Sequence, residues 1–422
     1  MKSLIKKLYF CVIVILFGVS IIAGKTASAY TTGTESFNCF HKCYYIETDG
    51  SDDNPGTIKK PFASIAKAQE VATSGDTVFI RGGIYKKFSI ADTNSLYNYV
   101  NEINKSGITY RGYDSEVPVF DFSNITTEKR VCAFYITSNA KDVKFQSIKV
   151  TGVPIGLQKQ SECFRIEGKN ITFEKLTCSD NQAIGFYFTG YATGTCYRCD
   201  ACNNIGVEGI SIGNIDGFGA HGDGVKFKEC RSWNNSDDGY DCINSKGANT
   251  FDSCWAFNMN QGGDSNGFKV GGWGKKPIDF TPPVHNVKNC IAANNDAHGF
   301  YSNHQPGQAA TWIHNTAYDN KKGNFYMLEC ATISDPTDIP GTREVLKYNL
   351  SYKNNTLDLA NISSENNKNN SWNLAEDDIS ADNFKSLDVN QLSKDRGSDG
   401  ALPKITFMKV TCKSKFKGLG CF

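Results

Sequence analysis

After its first thirty residues the chain has no apolar run approaching the length that a membrane span requires, about 20 residues, so no later segment reads as a crossing helix. It also lacks a basic run. Its 45 Lys and Arg are balanced by 44 Asp and Glu, a net charge of +1, which argues against nucleic acid or an anionic membrane as partner. The central region is also short of helical patterning, since its turn signals come too close together to leave room for a helix. What it does have is Asn, Gly and Cys. The 16 cysteines suit an oxidising compartment where disulfides persist.

The compartment is read from residues 1–29. Lys2, Lys6 and Lys7 precede an apolar run from Leu8 to Ala23, and Ala27 to Ala29 ("ASA") supply small residues for cleavage. This pattern predicts a secretory signal peptide and an extracellular protein that leaves the membrane once the signal is removed. An uncleaved anchor is the alternative, and the run is short for one. With Cys11 inside the signal, fifteen cysteines remain, an odd number that leaves at least one unpaired within the chain. Sequons at Asn124, Asn170 and Asn361 would be surface sites in a glycosylating host.

Between residues 168 and 327 one phrase recurs: a short strand, an Asn, a few polar residues, Gly, and another short strand. Its asparagines, Asn181, Asn204, Asn235, Asn260, Asn295 and Asn320, stand 23, 31, 25, 35 and 25 residues apart. Such periods signal a solenoid. The fold expected is all-β, a right-handed parallel β-helix with each phrase one coil and the uneven spacings loops of different length. Copies of Asn at a coil corner can bond one another and satisfy buried turn backbone. Five residues earlier, six in the case of Cys254, lies a second column, Leu176, Cys199, Cys230, Cys254, Cys290 and Asn315, read as an inward stack of small apolar groups; inter-coil disulfides are the alternative. An amphipathic helix over 62–72 is expected to cap the first coil. The β-helix should run over residues 30–400, with 332–400 as late irregular coils and surface-wrapping chain. Residues 401–422 form a tail that Cys412 and Cys421 could close.

The stretch "WNNSDDGYDCINS" packs Asp237, Asp238 and Asp241 into five positions. Carboxylates this close repel unless a cation sits among them or water screens them. An ordinary solvated turn is the bland alternative. Aligning the coils on the Gly of the phrase puts Tyr187, Ser211, Asp241, Lys269, Tyr301 and Phe325 in one column, which stands Lys269 beside the knot at about 4.8 Å per coil. Lysine over carboxylates can be a plain ion pair. If the carboxylates hold a divalent ion instead, their charge is spent and the Lys269 pKa should fall. An all-oxygen donor set suits Ca²⁺ better than Mg²⁺, and the column has no repeated His or Cys for zinc. Asp216 is a fourth candidate ligand, with Asp223 competing for the place.

The residues "DGFG", "CRSWNNSDDGYD", "SNGFKVGG", "VKNCIAANNDAHGF" and "HNTAYDN", in that order, resemble the pectate lyases of polysaccharide lyase family nine, and the likeness extends to "FKSLDVNQLSKDRGSDGALP". The resemblance implies a Ca²⁺-dependent lyase acting on an acidic polysaccharide, polygalacturonate. Position by position, Asp237, Asp238 and Asp241 match the family's calcium run, Asp216 its upstream ligand and Lys269 its catalytic base. The segments "CINSKGANT" and "HGDGVKF" depart from the pattern. A lysine with an ordinary pKa near 10.4 serves as base only if the pKa is lowered or the medium is alkaline, so an alkaline optimum is expected. Two rivals stand beside this reading. A polygalacturonase-like hydrolase would use two carboxylates, but Lys269 has no role there and "HGF" at His298 lacks an "RIK" partner. A non-catalytic glycan-binding solenoid would use the same residues only to grip. In either case the chain is expected to be a monomer.

Overall fold

The computed structural model describes residues 41–272, 283–303, 309–327, 330–332, 335–338, 344–354, 357–359, 362–374 and 379–422. Both the expected signal peptide and the sequon at Asn361 lie outside the described residues. Among the described residues strands pair in parallel with the next coil in three stacks of 12, 10 and 11 strands, apart from the edge strand Asp92–Thr93, which runs antiparallel to Tyr97–Ile103; this is a parallel β-helix, as the repeat predicts. Among the described residues no helix is long and apolar enough to cross a membrane. The cap helix is shorter than expected, Ile65–Val71, because the Ser64 side chain accepts the Lys67 N–H and starts it there. Its buried Ile65 and Ala68 join the coil core.

Each coil turns a corner through one left-handed residue. Asp180, Asn203, Asn234, Asn258, Asn294 and Asp319 have φ between +52 and +61°, a region that Asn and Asp enter more readily than most residues. The residue after each is the inward rung. Asn181 Nδ2 donates to Asn204 Oδ1 (2.8 Å) and Asn204 Nδ2 to Asn235 Oδ1 (2.9 Å). Asn295 in turn donates to Asn320 at 2.8 Å. The expected rung Asn260 is displaced. Asn258 is the left-handed residue, so Met259 takes the buried position and Asn260 is exposed; the Met259 N–H donates to Asn295 Oδ1 at 3.1 Å.

The second column is the inward stack expected. Cys199, Cys230, Cys254 and Cys290 are free, buried thiols, and Asn315 extends the column by accepting the Cys290 N–H at 3.0 Å. The expected tail closure does not form. Cys412 is exposed with a free thiol, whereas the Cys421 N–H is drawn to Thr316 Oγ1 at 3.1 Å. The tail is held instead by apolar burial of Phe384, Leu392, Phe407 and Phe416 against Trp255, Phe257, Ile291 and Tyr318 of the ten-stranded sheet. Buried ions add a pin: Asp200 lies between Arg231 (2.8 Å) and Arg396 (2.6 Å), and Arg231 also donates to the Leu392 and Lys394 carbonyls.

The eleven-stranded sheet positions the acidic knot. Its inward face stacks Phe134, Phe164, Phe186, Phe218, Tyr240, Phe268, Phe300 and Phe325, with successive ring centroids 4.7–5.4 Å apart. Side chains alternate across a strand, so each ring places the next residue outward. The outward column runs Arg165, Tyr187, Gly219, Asp241, Lys269, Tyr301, Tyr326.

Candidate active site

That register corrects the expected column at two rungs. Ser211 is not on the sheet: a loop carrying a short 3-10 turn, Ile212–Asn214, intervenes, and the strand is Phe218–Ala220. At the other end Phe325 pairs with Phe300 on the inward face, and Tyr326 is the outward residue. Tyr187, Asp241, Lys269 and Tyr301 stand where the alignment put them. Gly219 beside Asp241 has a packing reason, since a Cβ there would come within 2.8 Å of the Tyr187 ring.

Asp241 lies on the short strand Tyr240–Asp241, with Asp237 and Asp238 in the turn before it and Asp216 in the loop of the preceding coil. All four are at most 6 % exposed. Backbone N–H groups aim them: Asp238 N donates to Asp216 Oδ1 (3.1 Å), Asp264 N to Asp237 Oδ1 (2.7 Å) and Ile243 N to Asp241 Oδ1 (2.8 Å). Asn266 donates both its backbone and side-chain N–H to Asp238 Oδ1, each at 2.8 Å. The loop reaches Asp237 because residue 263 is glycine; a Cβ there would meet Ser236 O at 2.2 Å and Asp237 Oδ1 at 2.8 Å.

Lys269, on Phe268–Gly271, places Nζ 3.0 Å from Asp238 Oδ2, 2.9 Å from Asp264 Oδ2 and 3.6 Å from Asp241 Oδ2. Burial disfavours its charge, yet Asp241, Asp238 and Asp264 outweigh burial and push its pKa up. With the carboxylate charge unspent the lysine is held protonated, the ion-pair state. The acids are strained the other way. Burial first, then Asp237, Asp241 and Asp238, push Asp216 well above the carboxylate range. Burial and Asp238 lift Asp237 to about 8, while burial lifts Asp238 to about 6 against the pull of Lys269. One ammonium does not neutralise this knot.

Asp216, Asp237 and Asp238 bring carboxylate oxygens within 4.8 Å of one another, a spacing able to hold a metal ion. An all-oxygen set of this kind, short of counter-charge, fits a hard cation such as Ca²⁺. Asp223 is not brought in; its N–H is taken by the Ala192 carbonyl, and it bridges to Gly247. Three neighbours escaped the sequence reading. His221 falls within 4.8 Å of Asp216 and Asp241, and its place was readable, because it follows Gly219 by two on the outward face. Asp264 and Asn266 come from the loop before Lys269 and carried no periodic signal.

A parallel β-helix with buried carboxylates and a lysine on one sheet face defines the class as a solenoid with a candidate active site. The family model for the Pel9A-like right-handed beta helix region matches residues 44–370. The chain belongs to this family, which places it among the polysaccharide lyases. Pectate lyase L of Dickeya chrysanthemi is 28% identical over 421 residues, covering 95% of this chain and 90% of its own. Pectate lyase PEL9 of Emericella nidulans is 26% identical over 415 residues, covering 86% of this chain and 91% of its own. Among solved structures, a rhamnogalacturonan lyase superposes with a TM-score of 0.80 at 34% identity, covering 90% of this chain and 99% of its own. Pectate lyase Pel9A gives 0.70 at 24% identity, covering 90% and 91%.

Proposed function

We propose that the protein is a secreted, monomeric, calcium-dependent lyase that cleaves a galacturonate polymer by β-elimination, with Lys269 as the base. The observation that carries this reading is the register of Lys269 directly against Asp241, with its Nζ among carboxylates that one ammonium leaves under-neutralised. Asp216, Asp237, Asp238 and Asp241 would hold the ion. When bound, calcium supplies Lewis-acid stabilisation for the charge that develops toward the C6 carboxylate. Lys269 Nζ takes the proton from C5, the C5–H electron pair becomes the C4=C5 double bond, and the C4–O bond breaks with water protonating the leaving oxygen. Lys269 must first lose its own proton, which requires the carboxylate charge around it to be spent elsewhere. The rate should therefore rise with pH as Lys269 deprotonates, giving an alkaline optimum.

The test is direct. Incubated with polygalacturonate and Ca²⁺, the protein should release unsaturated uronides that absorb near the ultraviolet edge, and chelation should stop the release until Ca²⁺ is returned. No absorbance on any galacturonate polymer would leave the glycan-binding reading. New reducing ends without absorbance would favour the hydrolase. A second substrate is favoured by one observation: the rhamnogalacturonan lyase structure has the higher identity and TM-score of the two superposed. Rhamnogalacturonan, assayed beside polygalacturonate, decides between them.

A further inference from the structure

The acidic knot holds a nitrogen donor that the calcium reading leaves unused. The strand Phe218–Ala220 places Gly219 outward, in register with Asp241, and His221 follows by two on the same face. The His221 N–H continues the ladder by donating to the Phe188 carbonyl at 3.0 Å, and its ring packs edge-on to Tyr187 with centroids 5.1 Å apart. The imidazole occupies the space that the missing side chain of Gly219 leaves open: a Cβ at that position would stand 3.5 Å from His221 Nε2. Nε2 is fully buried and meets no hydrogen-bond partner. Buried polar atoms are normally paired with protein, water or an ion, so an orphaned ring nitrogen beside carboxylates calls for one of these. His221 also opens "HGDGVKF", one of the two segments that depart from the family pattern, and the calcium run does not account for it.

Among the described residues the donors of the knot fall into two groups. Asp216, Asp237 and Asp238 bring their oxygens within 4.8 Å of one another, and so, separately, do the donor atoms of Asp216, His221 and Asp241. We infer that Asp216, His221 and Asp241 form a second metal site, beside the one proposed for calcium, that takes a first-row transition ion such as Co²⁺, Mn²⁺ or Zn²⁺. Calcium is served by oxygen donors, whereas an imidazole nitrogen suits transition ions. Asp216 and Asp241 are shared with the proposed calcium ligands, and His221 belongs to the second ion alone. The charge balance has room for both. Five carboxylates about one ammonium leave four formal negative charges in excess, of which one calcium ion offsets only two.

The inference needs neither the lyase reaction nor its substrate, so metal binding tests it directly. With Ca²⁺ saturating, calorimetric titration of the wild type with Co²⁺ should show one further ion bound. His221→Gln keeps a polar side chain and removes the ring nitrogen. It should hold Ca²⁺ within about twofold of wild type, since the oxygen donors remain, and weaken Co²⁺ by at least the roughly 10- to 100-fold that even an outer partner of a metal ligand is worth. Asp237→Asn should do the opposite, losing Ca²⁺ and still binding Co²⁺. Melting curves in chelator establish that each variant folds, and His221→Asn takes the place of His221→Gln if that variant does not. Co²⁺ that only displaces Ca²⁺ from the wild type one for one would overturn the second site, as would Co²⁺ binding to folded His221→Gln as tightly as to wild type. Loss of both ions in either folded variant would overturn it too, because the knot would then be a single centre. If the protein releases no unsaturated uronides but takes up Co²⁺ through His221, the lyase reading fails and the metal site stands.

Discussion

Two buried ionic clusters sit in neighbouring coils of this solenoid and are built to opposite rules. At the tail pin, one carboxylate meets two guanidiniums. Burial pushes Asp200 up, but Arg231 and Arg396 outweigh it and hold its pKa below the usual range. The remaining donors of Arg231 and Arg396 go to backbone carbonyls. At the knot the ratio is inverted: five carboxylates, Asp216, Asp237, Asp238, Asp241 and Asp264, gather about one ammonium, whose Nζ meets the last three, and Asp216, Asp237 and Asp238 are driven up in pKa. A buried ionic group is tolerated when it is paired and hydrogen-bonded. The pin meets that condition from within the chain. The knot meets it only with further positive charge, a proton or the proposed cation, and perturbed carboxylates gathered this way mark functional sites more often than structural ones.

The sharpest way to break this contrast is to remove the one cation of the knot. Lys269→Ala should cut turnover by at least the roughly 10²-fold typical of a lost general base while oligogalacturonate still binds in the presence of Ca²⁺. Lys269→Arg should not rescue it, because a guanidinium stays protonated at any usable pH. An arginine variant with near wild-type kcat would make Lys269 a substrate clamp and move the chemistry elsewhere.

Neutralising one carboxylate in each cluster should separate stability from activity. Asp200→Asn leaves two guanidiniums without their counter-charge and should cost about 3–5 kcal/mol, as breaking a buried pair does, with kcat/KM retained in the fraction that remains folded. Asp237→Asn should do the reverse. It removes a member of a mutually repelling set, so the melting temperature in chelator should hold or rise, while calcium affinity and turnover collapse. Chelator melting curves and calcium titrations on the two variants check both. A destabilised, active Asp237→Asn would show the knot to be structural.

Much of this was legible because stacking converts sequence period into contact. The Asn and Cys spacings located the coils, and the Gly of each phrase located Tyr187, Asp241, Lys269 and Tyr301 on one face. The failures have a common cause, insertions that change length inside a coil. The loop before Phe218 made "GISI" look like a strand and put Ser211 on the sheet. At the corner after Phe257, counting by asparagine chose Asn260, where the left-handed Asn258 makes Met259 the rung. The aromatic after each Gly, from Phe186 through Phe300, was in plain view as a repeat and would have fixed the register outright. Asp264 and Asn266 were not readable at all, since their loop is placed by contacts to Asp237 and Asp238 and not by any period.

The smallest expected effect is one of sign, in the dependence of stability on pH. Asp200 has a folded pKa below its unfolded one, so its contribution is present above about pH 4 and is lost as pH falls through the folded value. Asp237 is the opposite case. Its folded pKa of about 8 lies above the unfolded 3.8, the folded state binds the extra proton between those values, and stability falls as pH rises through that window. His285 complicates the lower part. Burial pushes it down to about 4 from 6.5, so it favours the folded state increasingly as pH rises from about 4 to 6.5 and obscures the knot there. The comparison is therefore made between pH 6.5 and 8, with and without Ca²⁺. In chelator the protein should lose about 1.6 kcal/mol across that interval, a fall of a few degrees in melting temperature. Saturating Ca²⁺ should flatten the slope, because carboxylates that hold a cation stay ionised throughout. Equal slopes with and without the ion would mean that calcium is bound away from Asp237.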